Sequence, residues 1–307
     1  MRARRAFPVM LTGAALFLCT AAAGRPSSPP IPLRPLPALT RDALTARYTA
    51  GRTAIETAAD AAEDPRTAAR LRALAAPGRT FLDFDARGRA AEVVGDLARA
   101  RRVAVLVPGA DTTLGTFDSR GDASPGGGAR ALYAEARRLS PRARLAVIAW
   151  LGYDTPSTLS PAVLTTGHAD QGARALRPLT GWLDAHGKGV ALLCHSYGTV
   201  VCGRAAKNVD VTDIAVFGSP GLTVSSAADL HSDARLWVGR ASGDWMRYVP
   251  NVRVLGAGFG ADPAAPGFGA RRFAAGGGTH SDYLAPGGAS LRNLALIALG
   301  RTGEVSR

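Results

Sequence analysis

The segment Cys194-His195-Ser196-Tyr197-Gly198 carries the most distinctive combination of residue types in the sequence. It follows the apolar run Val190–Leu193 and precedes a stretch typical of a helix. A serine between a buried strand and a helix, with small residues two positions before and after it, fits the nucleophile-elbow pattern G-x-S-x-G, here with cysteine at the first glycine position. The sharp turn exposes the hydroxyl, and the N–H of Tyr197 at the helix start can stabilise an oxyanion. We therefore predict that Ser196 is a nucleophile.

A serine hydroxyl needs a histidine to accept its proton, and the chain has five histidines. His195 adjoins the serine, and its side chain is expected to point away from the catalytic group. His168 and His186 precede the nucleophile strand, and His231 precedes a later strand. Only His280 follows all the predicted strands. In proteins with this elbow pattern, the catalytic residues follow one another along the chain in the order serine, carboxylate, histidine. His280 is therefore the predicted base.

Two aspartates are candidates for the carboxylate that orients His280. Asp244 lies in the loop after Leu236–Val238, the second strand after the elbow, where the third member of such a triad is expected. Asp262 is the rival, and Asp282 is too close in sequence to His280 to reach it easily. The sequence favours Asp244 and leaves Asp262 open.

A second oxyanion donor is expected from the loop after the strand Val103–Val107. Gly109 in that loop allows the backbone to approach a substrate, and the amide of Ala110 or of Asp111 is the candidate donor. The site residues predicted at this point are Ser196, His280 and Asp244, with Tyr197 and Ala110 for the oxyanion. An ordinary connecting loop is the alternative for Ala110.

Cys194 ends the nucleophile strand, and Cys202 lies in the following helix. Residues 198 and 202 share a face of that helix, and residue 198 should abut the strand near residue 194. The two sulfurs can therefore meet in a disulfide, against the alternative of two separate buried thiols. No Cys/His spacing is typical of zinc, so neither a metal nor a cofactor is expected.

The elements that position these residues are short apolar runs that alternate with helical stretches. The runs are Val103–Val107, Leu145–Trp150, Val190–Leu193, Asp213–Phe217 and Leu236–Val238, and the helical stretches are Ala129–Leu139, Gln171–His186 and Thr199–Lys207. Nearly continuous apolar strands between helices indicate a mainly parallel, doubly wound α/β sheet covered on both faces. Before them, 81–85 and 90–94 read as a strand pair joined by a turn.

The remaining organisation is predicted as a signal peptide over 1–23, a Pro-rich linker over 24–39, a helical extension over 40–78 and the α/β domain over 79–303. In the extension, Asp64 and Pro65 divide two helices as an N-cap and a first helical residue. The extension either caps a site or serves as a packing element.

The N-terminus supports export. Arg2, Arg4 and Arg5 precede an apolar stretch and the small residues at 21–23, as in a cleavable secretory signal. An uncleaved anchor and a buried helix are the alternatives, and Arg4-Arg5 partly matches a twin-arginine signal. We expect a secreted or envelope-associated protein.

The formal charge of +13 raises the question of nucleic acid. The charge comes almost entirely from arginines spread among alanines, with no basic run interleaved with aromatics and no recognisable nucleic-acid motif. We therefore expect no nucleic-acid partner. The glycines of 256–261 match a dinucleotide fingerprint, but prolines follow at once where that motif must open a helix, so they are interpreted as loop glycines.

Several motifs occur in order along the chain: Val103–Gly109, Gly152–Pro156, Cys194–Gly198, Gly218–Gly221, Gly239–Trp245 and Pro266–Phe273. Together they resemble an actinobacterial α/β-hydrolase family long catalogued as a domain of unknown function. The resemblance covers roughly residues 80–303 and implies the α/β-hydrolase fold with a Ser196, Asp244 and His280 triad. Members of that family usually carry glycine at the position of Cys194.

The leading hypothesis is an exported serine hydrolase, esterase- or lipase-like, that acts on a small-molecule or lipid ester through an acyl-enzyme. The alternatives are a non-catalytic envelope-binding module on a hydrolase scaffold and a binder of anionic surfaces driven by net charge.

Overall fold

The computed structural model describes residues 35–85, 87–118, 124–251 and 257–307. The predicted signal peptide and residues 24–34 of the predicted linker lie outside these ranges, as do residues 252–256, the last of which is the first glycine of the glycine-rich segment. No helix in the described ranges combines the length and apolar character needed to cross a bilayer.

Within these ranges, eight strands form one sheet in the spatial order β1-β2-β4-β3-β5-β6-β7-β8. Their bounds are β1 Thr80–Asp85, β2 Arg89–Val94, β3 Arg102–Val107, β4 Leu145–Leu151, β5 Gly189–His195, β6 Asp213–Phe217, β7 Arg235–Gly239 and β8 Arg271–Arg272. From β4 through β8 neighbouring strands are parallel, and the β1–β2 hairpin joins β4 antiparallel. The central strands are buried at nearly every position, which explains why their sequences are mostly apolar.

The α-helices in the described part of the chain are α1 Arg41–Asp60, α2 Pro65–Leu74, α3 Pro125–Leu139, α4 Gly167–Ala185, α5 Gly198–Ala205 and α6 Ala289–Leu299. Residues of α4 and α5 share one buried apolar cluster with one face of the sheet, and residues of α3 and α6 share a second cluster with the other face. The sheet is therefore covered on both sides, as the alternation of strands and helices predicts.

Helix α1 packs against β1 of the sheet, and α2 packs against α1. Asp64 caps α2 by accepting from the N–H groups of Arg66 and Thr67. The guanidinium of Arg47 in α1 donates to the carbonyl oxygen of Leu82 in β1 at 2.7 Å. Buried side chains of both helices, such as Ile55, belong to the apolar cores. The helical extension therefore packs against the rest of the fold, as one of the two alternatives from the sequence expects.

The loops that leave β3, β5, β6, β7 and β8 all lie at the carboxyl edge of the parallel strands. In sheets of this kind, ligands and catalytic groups gather at that edge. Ser196 follows β5, Asp244 follows β7 and His280 follows β8, so the topology alone places the three at one end of the molecule.

Candidate active site

Ser196 occupies a backbone conformation that a side chain rarely adopts. It follows β5 with φ of +53°, in the left-handed region, and α5 begins two residues later. A residue held in this region stores about 1–3 kcal/mol of strain and persists only where its surroundings enforce it. Gly198 shows part of that enforcement, because a Cβ atom there would lie 2.5 Å from the carbonyl oxygens of Val107 and Pro108. The strand–turn–helix elbow predicted from the sequence is therefore present.

His280 connects Ser196 to Asp244. Its Nε2 lies 2.9 Å from the hydroxyl oxygen of Ser196, and its Nδ1 lies 2.9 Å from Oδ1 of Asp244. A carboxylate only accepts, so Nδ1 carries the proton and donates to Asp244, which leaves Nε2 able to accept from the serine hydroxyl. The three residues that the sequence singled out are adjacent and hydrogen-bonded in the order that proton transfer requires.

The carboxylate of Asp244 is fully buried, at 0% exposure. Burial on its own would raise its pKa, but hydrogen bonds from His280, from the Tyr283 hydroxyl at 2.6 Å and from the N–H of Met246 at 2.8 Å outweigh burial and lower the pKa to about 2. Asp244 is therefore negatively charged across the physiological pH range.

Asp262, the rival acid, is engaged elsewhere. Its two carboxylate oxygens accept from the guanidinium of Arg240 at 2.5 and 2.8 Å, and the N–H of Ala264 adds a further bond. Asp282 accepts from the N–H and hydroxyl of Thr279 in its own loop. The geometry thus resolves the choice of His280's partner in favour of Asp244.

The expectation that His195 points away from the site is wrong. Its Nε2 donates to the carbonyl oxygen of His280 at 2.8 Å, and its ring packs against those of His280, Phe217 and Tyr283. Burial, and then the neighbouring His280, lower the pKa of His195 to about 3, so it stays neutral. The error arises because the loop that carries His280 packs over the end of β5: His195 pairs with Phe217 in the sheet, and Tyr283 of that loop packs against both rings.

Two tyrosines support the site and were not singled out from the sequence. Tyr283 donates to Asp244 and accepts from the N–H of Ala241, which fixes the carboxylate. Tyr153, after β4, donates to the carbonyl oxygen of Pro108 at 2.7 Å. Tyr283 follows His280 by three residues, and no sequence pattern marks that spacing.

The loop after β3 approaches the nucleophile closely. A Cβ atom at Gly109 would lie 2.6 Å from the Cβ of Ser196, so only glycine fits there. Of the two candidate donors in this loop, the N–H of Asp111 is used in a bond to the carbonyl oxygen of Pro156 at 3.0 Å. Asp111 also accepts from the N–H and hydroxyl of Thr158, which braces the loop. This arrangement leaves Ala110, with Tyr197 at the start of α5, as the candidate oxyanion donors.

A cavity of about 550 Å³ opens beside Ser196 and His280. Its walls are mostly apolar, and include Leu106, Val163, Leu164, Phe217, Trp245, Met246, Val249, Phe259 and Leu284. A cavity of this size and lining suits an apolar group of a small substrate. None of the residues that line it belongs to the N-terminal helices.

In the described ranges, no group of three or more acidic, histidine or cysteine side chains is arranged to hold a metal ion.

Cys194 and Cys202 form a disulfide that joins the end of β5 to α5, with a Cα–Cα distance of 6.5 Å. Both residues are fully buried. The cysteine at the usual glycine position is thus accommodated by directing its side chain into the core behind the elbow.

Replacing both cysteines by alanine is expected to lower the free energy of unfolding by about 2–3 kcal/mol, because a short covalent loop no longer restricts the unfolded chain. Urea unfolding under oxidising conditions measures the difference. The same replacement in thoroughly reduced protein should have a much smaller effect. An equal loss under both conditions would assign the effect to packing instead of to the crosslink.

The described part of the glycine-rich segment, residues 257–261, belongs to no helix or strand of the fold. Gly258 and Gly260 have φ of +88° and +86°. The chain after them forms a 3₁₀ turn at Pro266–Phe268 and then β8, not the α-helix that a dinucleotide site requires.

Comparison with known proteins gives one match to a family model, described as alpha/beta hydrolase, over residues 83–254. That range includes Ser196 and Asp244 and ends before His280. The uncharacterized protein Rv2079 of Mycobacterium tuberculosis (strain ATCC 25618 / H37Rv) is 33% identical over 253 residues, which cover 71% of this chain and 38% of that protein. The chain therefore spans well under half the length of this relative.

Among solved structures, XC6422 from Xanthomonas campestris, described as an α/β serine hydrolase without a lid, aligns with a TM-score of 0.44 and 15% identity over 74% of this chain and 95% of that one. Esterase PE8 aligns with a TM-score of 0.45 and 16% identity over 68% of this chain and 97% of that one.

Proposed function

The chain belongs to the α/β-hydrolase family, and from that premise we propose that it is a serine hydrolase that cleaves ester bonds through an acyl-enzyme on Ser196. The family match confirms the α/β-hydrolase fold and the family resemblance expected from the sequence motifs. The observation that carries the proposal is the continuous hydrogen-bonded chain from Ser196 through His280 to the buried carboxylate of Asp244.

The first half of the reaction forms the acyl-enzyme. The Ser196 hydroxyl transfers its proton to Nε2 of His280 while its oxygen attacks the carbonyl carbon of the ester. The carbonyl oxygen becomes negatively charged and accepts hydrogen bonds from the N–H groups of Tyr197 and Ala110. Asp244 stabilises the imidazolium, which then gives its proton to the departing alkoxide, and an alcohol leaves.

The second half regenerates the serine. A water molecule transfers a proton to His280 and attacks the acyl carbon, the carboxylic acid is released, and the proton returns to the Ser196 oxygen. The apolar cavity beside the serine supports a substrate with an apolar acyl group.

We also propose that the protein is exported. The basic and apolar N-terminal segment supports this, and so does the disulfide between Cys194 and Cys202, because disulfides persist in oxidising compartments.

A fluorophosphonate probe tests the catalytic proposal. An activated serine displaces fluoride from the probe and forms a stable phosphonyl ester, with loss of HF, so the wild-type chain is expected to gain the mass of one phosphonyl group, mapped by peptide mass spectrometry to Ser196. Ser196→Ala should remain unlabelled.

The matched control is Ser242→Ala, which removes an exposed serine in the loop that carries Asp244 and should label as the wild type does. If folded wild-type protein is not labelled, or labels at a serine other than Ser196, the enzyme proposal fails and the non-catalytic binding module becomes the better explanation.

A further inference from the structure

Within the described ranges, four large apolar or aromatic side chains are strongly exposed: Leu159 at 96%, Tyr248 at 77%, Leu164 at 52% and Trp245 at 51%. All four lie in two short segments, 158–164 and 245–250. Both segments also contribute lining residues to the cavity beside Ser196: Leu164 and Trp245 line it themselves, and Leu159 and Tyr248 lie in the same two segments. Exposed apolar groups are ordinary when scattered, but their concentration around one opening marks an interaction surface.

Each segment contains a 3₁₀ turn whose first residues are held by a side-chain cap, and Leu159 lies just before one of these turns. Asp244 caps the turn Trp245–Tyr248 through the N–H of Met246, which is itself buried. Ser160 caps the turn Pro161–Leu164 in the same way. Outward aromatic side chains at an opening are typical of proteins that meet the boundary between water and lipid.

Positive charge adjoins this apolar rim. Arg247, between Trp245 and Tyr248, has its guanidinium 5.5 Å from the centre of the Tyr248 ring. Next to it is a second, open cavity of about 370 Å³, lined by Arg240, Arg247, Arg272 and Asp262. Asp262 is already bonded to Arg240, and the formal charge of these four side chains is +2.

We propose that this rim docks the protein on an anionic lipid surface and receives an acyl ester directly from it. The docking surface consists of Leu159 and Tyr248, which enter the apolar layer, and of Arg247 and Arg272, which contact phosphate groups. The inference rests on the proposed function, because it specifies that the site around Ser196 takes its ester from a lipid surface.

The chemistry of the surface favours lipid over a protein partner. Insertion of apolar side chains together with arginine contacts to phosphates is the combination that binds anionic interfaces. Guanidinium groups suit phosphate because they present paired donors. An acyl chain that leaves the lipid layer at the rim enters the apolar cavity without crossing water.

The test compares binding of full-length variants to sedimented vesicles of phosphatidylcholine, alone or mixed equally with phosphatidylglycerol. Arg247→Gln/Arg272→Gln is expected to weaken partitioning onto the mixed vesicles about 10- to 30-fold, since each arginine near such a surface adds to attraction. Leu159→Ser/Tyr248→Ser should weaken partitioning about tenfold on both kinds of vesicle.

The matched control is Arg99→Gln/Arg142→Gln. These two arginines are exposed and precede β3 and β4, at the opposite edge of the sheet, and their loss changes the net charge by the same amount. Partitioning of this variant should stay within about threefold of the wild type. All variants share one N-terminus, so differences between them report the substituted side chains.

Equal weakening by the two arginine pairs would overturn the proposal, because net charge alone would then explain binding. Unchanged partitioning of Leu159→Ser/Tyr248→Ser would overturn it as well. A third result would also overturn it: the wild type sediments as a dimer and Leu159→Ser/Tyr248→Ser sediments as a monomer. The rim would then contact a second copy of the chain instead of a lipid surface.

Hydrolysis of a short-chain, fully dissolved p-nitrophenyl ester separates this inference from the proposed function. If Ser196-dependent turnover of that ester persists while the vesicle test fails, only the docking surface is refuted. If that turnover is absent, the proposed function fails independently of vesicle binding.

Discussion

Replacing His280 by alanine is expected to lower kcat for ester hydrolysis by roughly 10⁵- to 10⁶-fold. The imidazole lies 2.9 Å from the Ser196 hydroxyl on one side and 2.9 Å from the buried carboxylate of Asp244 on the other. Without it, the serine has no base to accept its proton, and the barrier rises by about 7–8 kcal/mol. Steady-state hydrolysis of a p-nitrophenyl ester measures the change.

The matched control for this prediction is His186→Ala. His186 is exposed, follows α4, and contacts the carbonyl oxygen of Trp182 in the same helix. Its loss should leave kcat within about twofold, as is usual for a surface substitution. A His280→Ala variant that is folded by circular dichroism and keeps more than about a hundredth of the wild-type kcat would contradict the assignment of His280 as the base.

Replacing Asp244 by asparagine is expected to lower kcat by about 10³- to 10⁴-fold. Asparagine has nearly the same shape but no charge, so it cannot stabilise the imidazolium that forms at His280. The carbonyl oxygen of the asparagine can still accept from Nδ1 of His280 and from the N–H of Met246, which both contact Oδ1 of the aspartate. The fold should therefore survive, and the lost activity should report the charge.

Asp262→Asn is the matched control, since Asp262 is the other aspartate that the sequence allowed as the acid. It removes the charge that pairs with Arg240 and leaves the bonds of Asp244 intact. We expect kcat to change by no more than about threefold, because Asp262 makes its bonds to Arg240 and Ala264 and not to His280. A larger loss from Asp262→Asn than from Asp244→Asn would reverse the assignment.

The strands of the parallel sheet were predictable because their environment is uniform. A strand buried on both faces needs apolar side chains at nearly every position, so Val103–Val107 and Leu145–Trp150 are recognisable without any neighbour. Helix α6, Ala289–Leu299, was not predicted. Its residues are almost all buried, so its sequence lacks the apolar and polar alternation by which a surface helix is recognised.

The support around the triad was less predictable than the triad itself. The Ser196 elbow depends on neighbours in sequence, and a local pattern reveals it. Tyr283, Tyr153 and His195 act through hydrogen bonds to backbone or side-chain atoms 39, 45 and 85 positions away. Contacts at such separations follow from the packing of loops, which no local pattern encodes.

The sequence by itself determined the parallel α/β sheet, the strand–turn–helix unit around Ser196 and the chain order that selects His280, because each depends on local burial or on topology. Only the tertiary structure decided which aspartate meets His280, where the helical extension packs and which loop amide remains for an oxyanion. These depend on distances of a few ångströms between loops from different strands, and those distances are set by the packing of the whole fold.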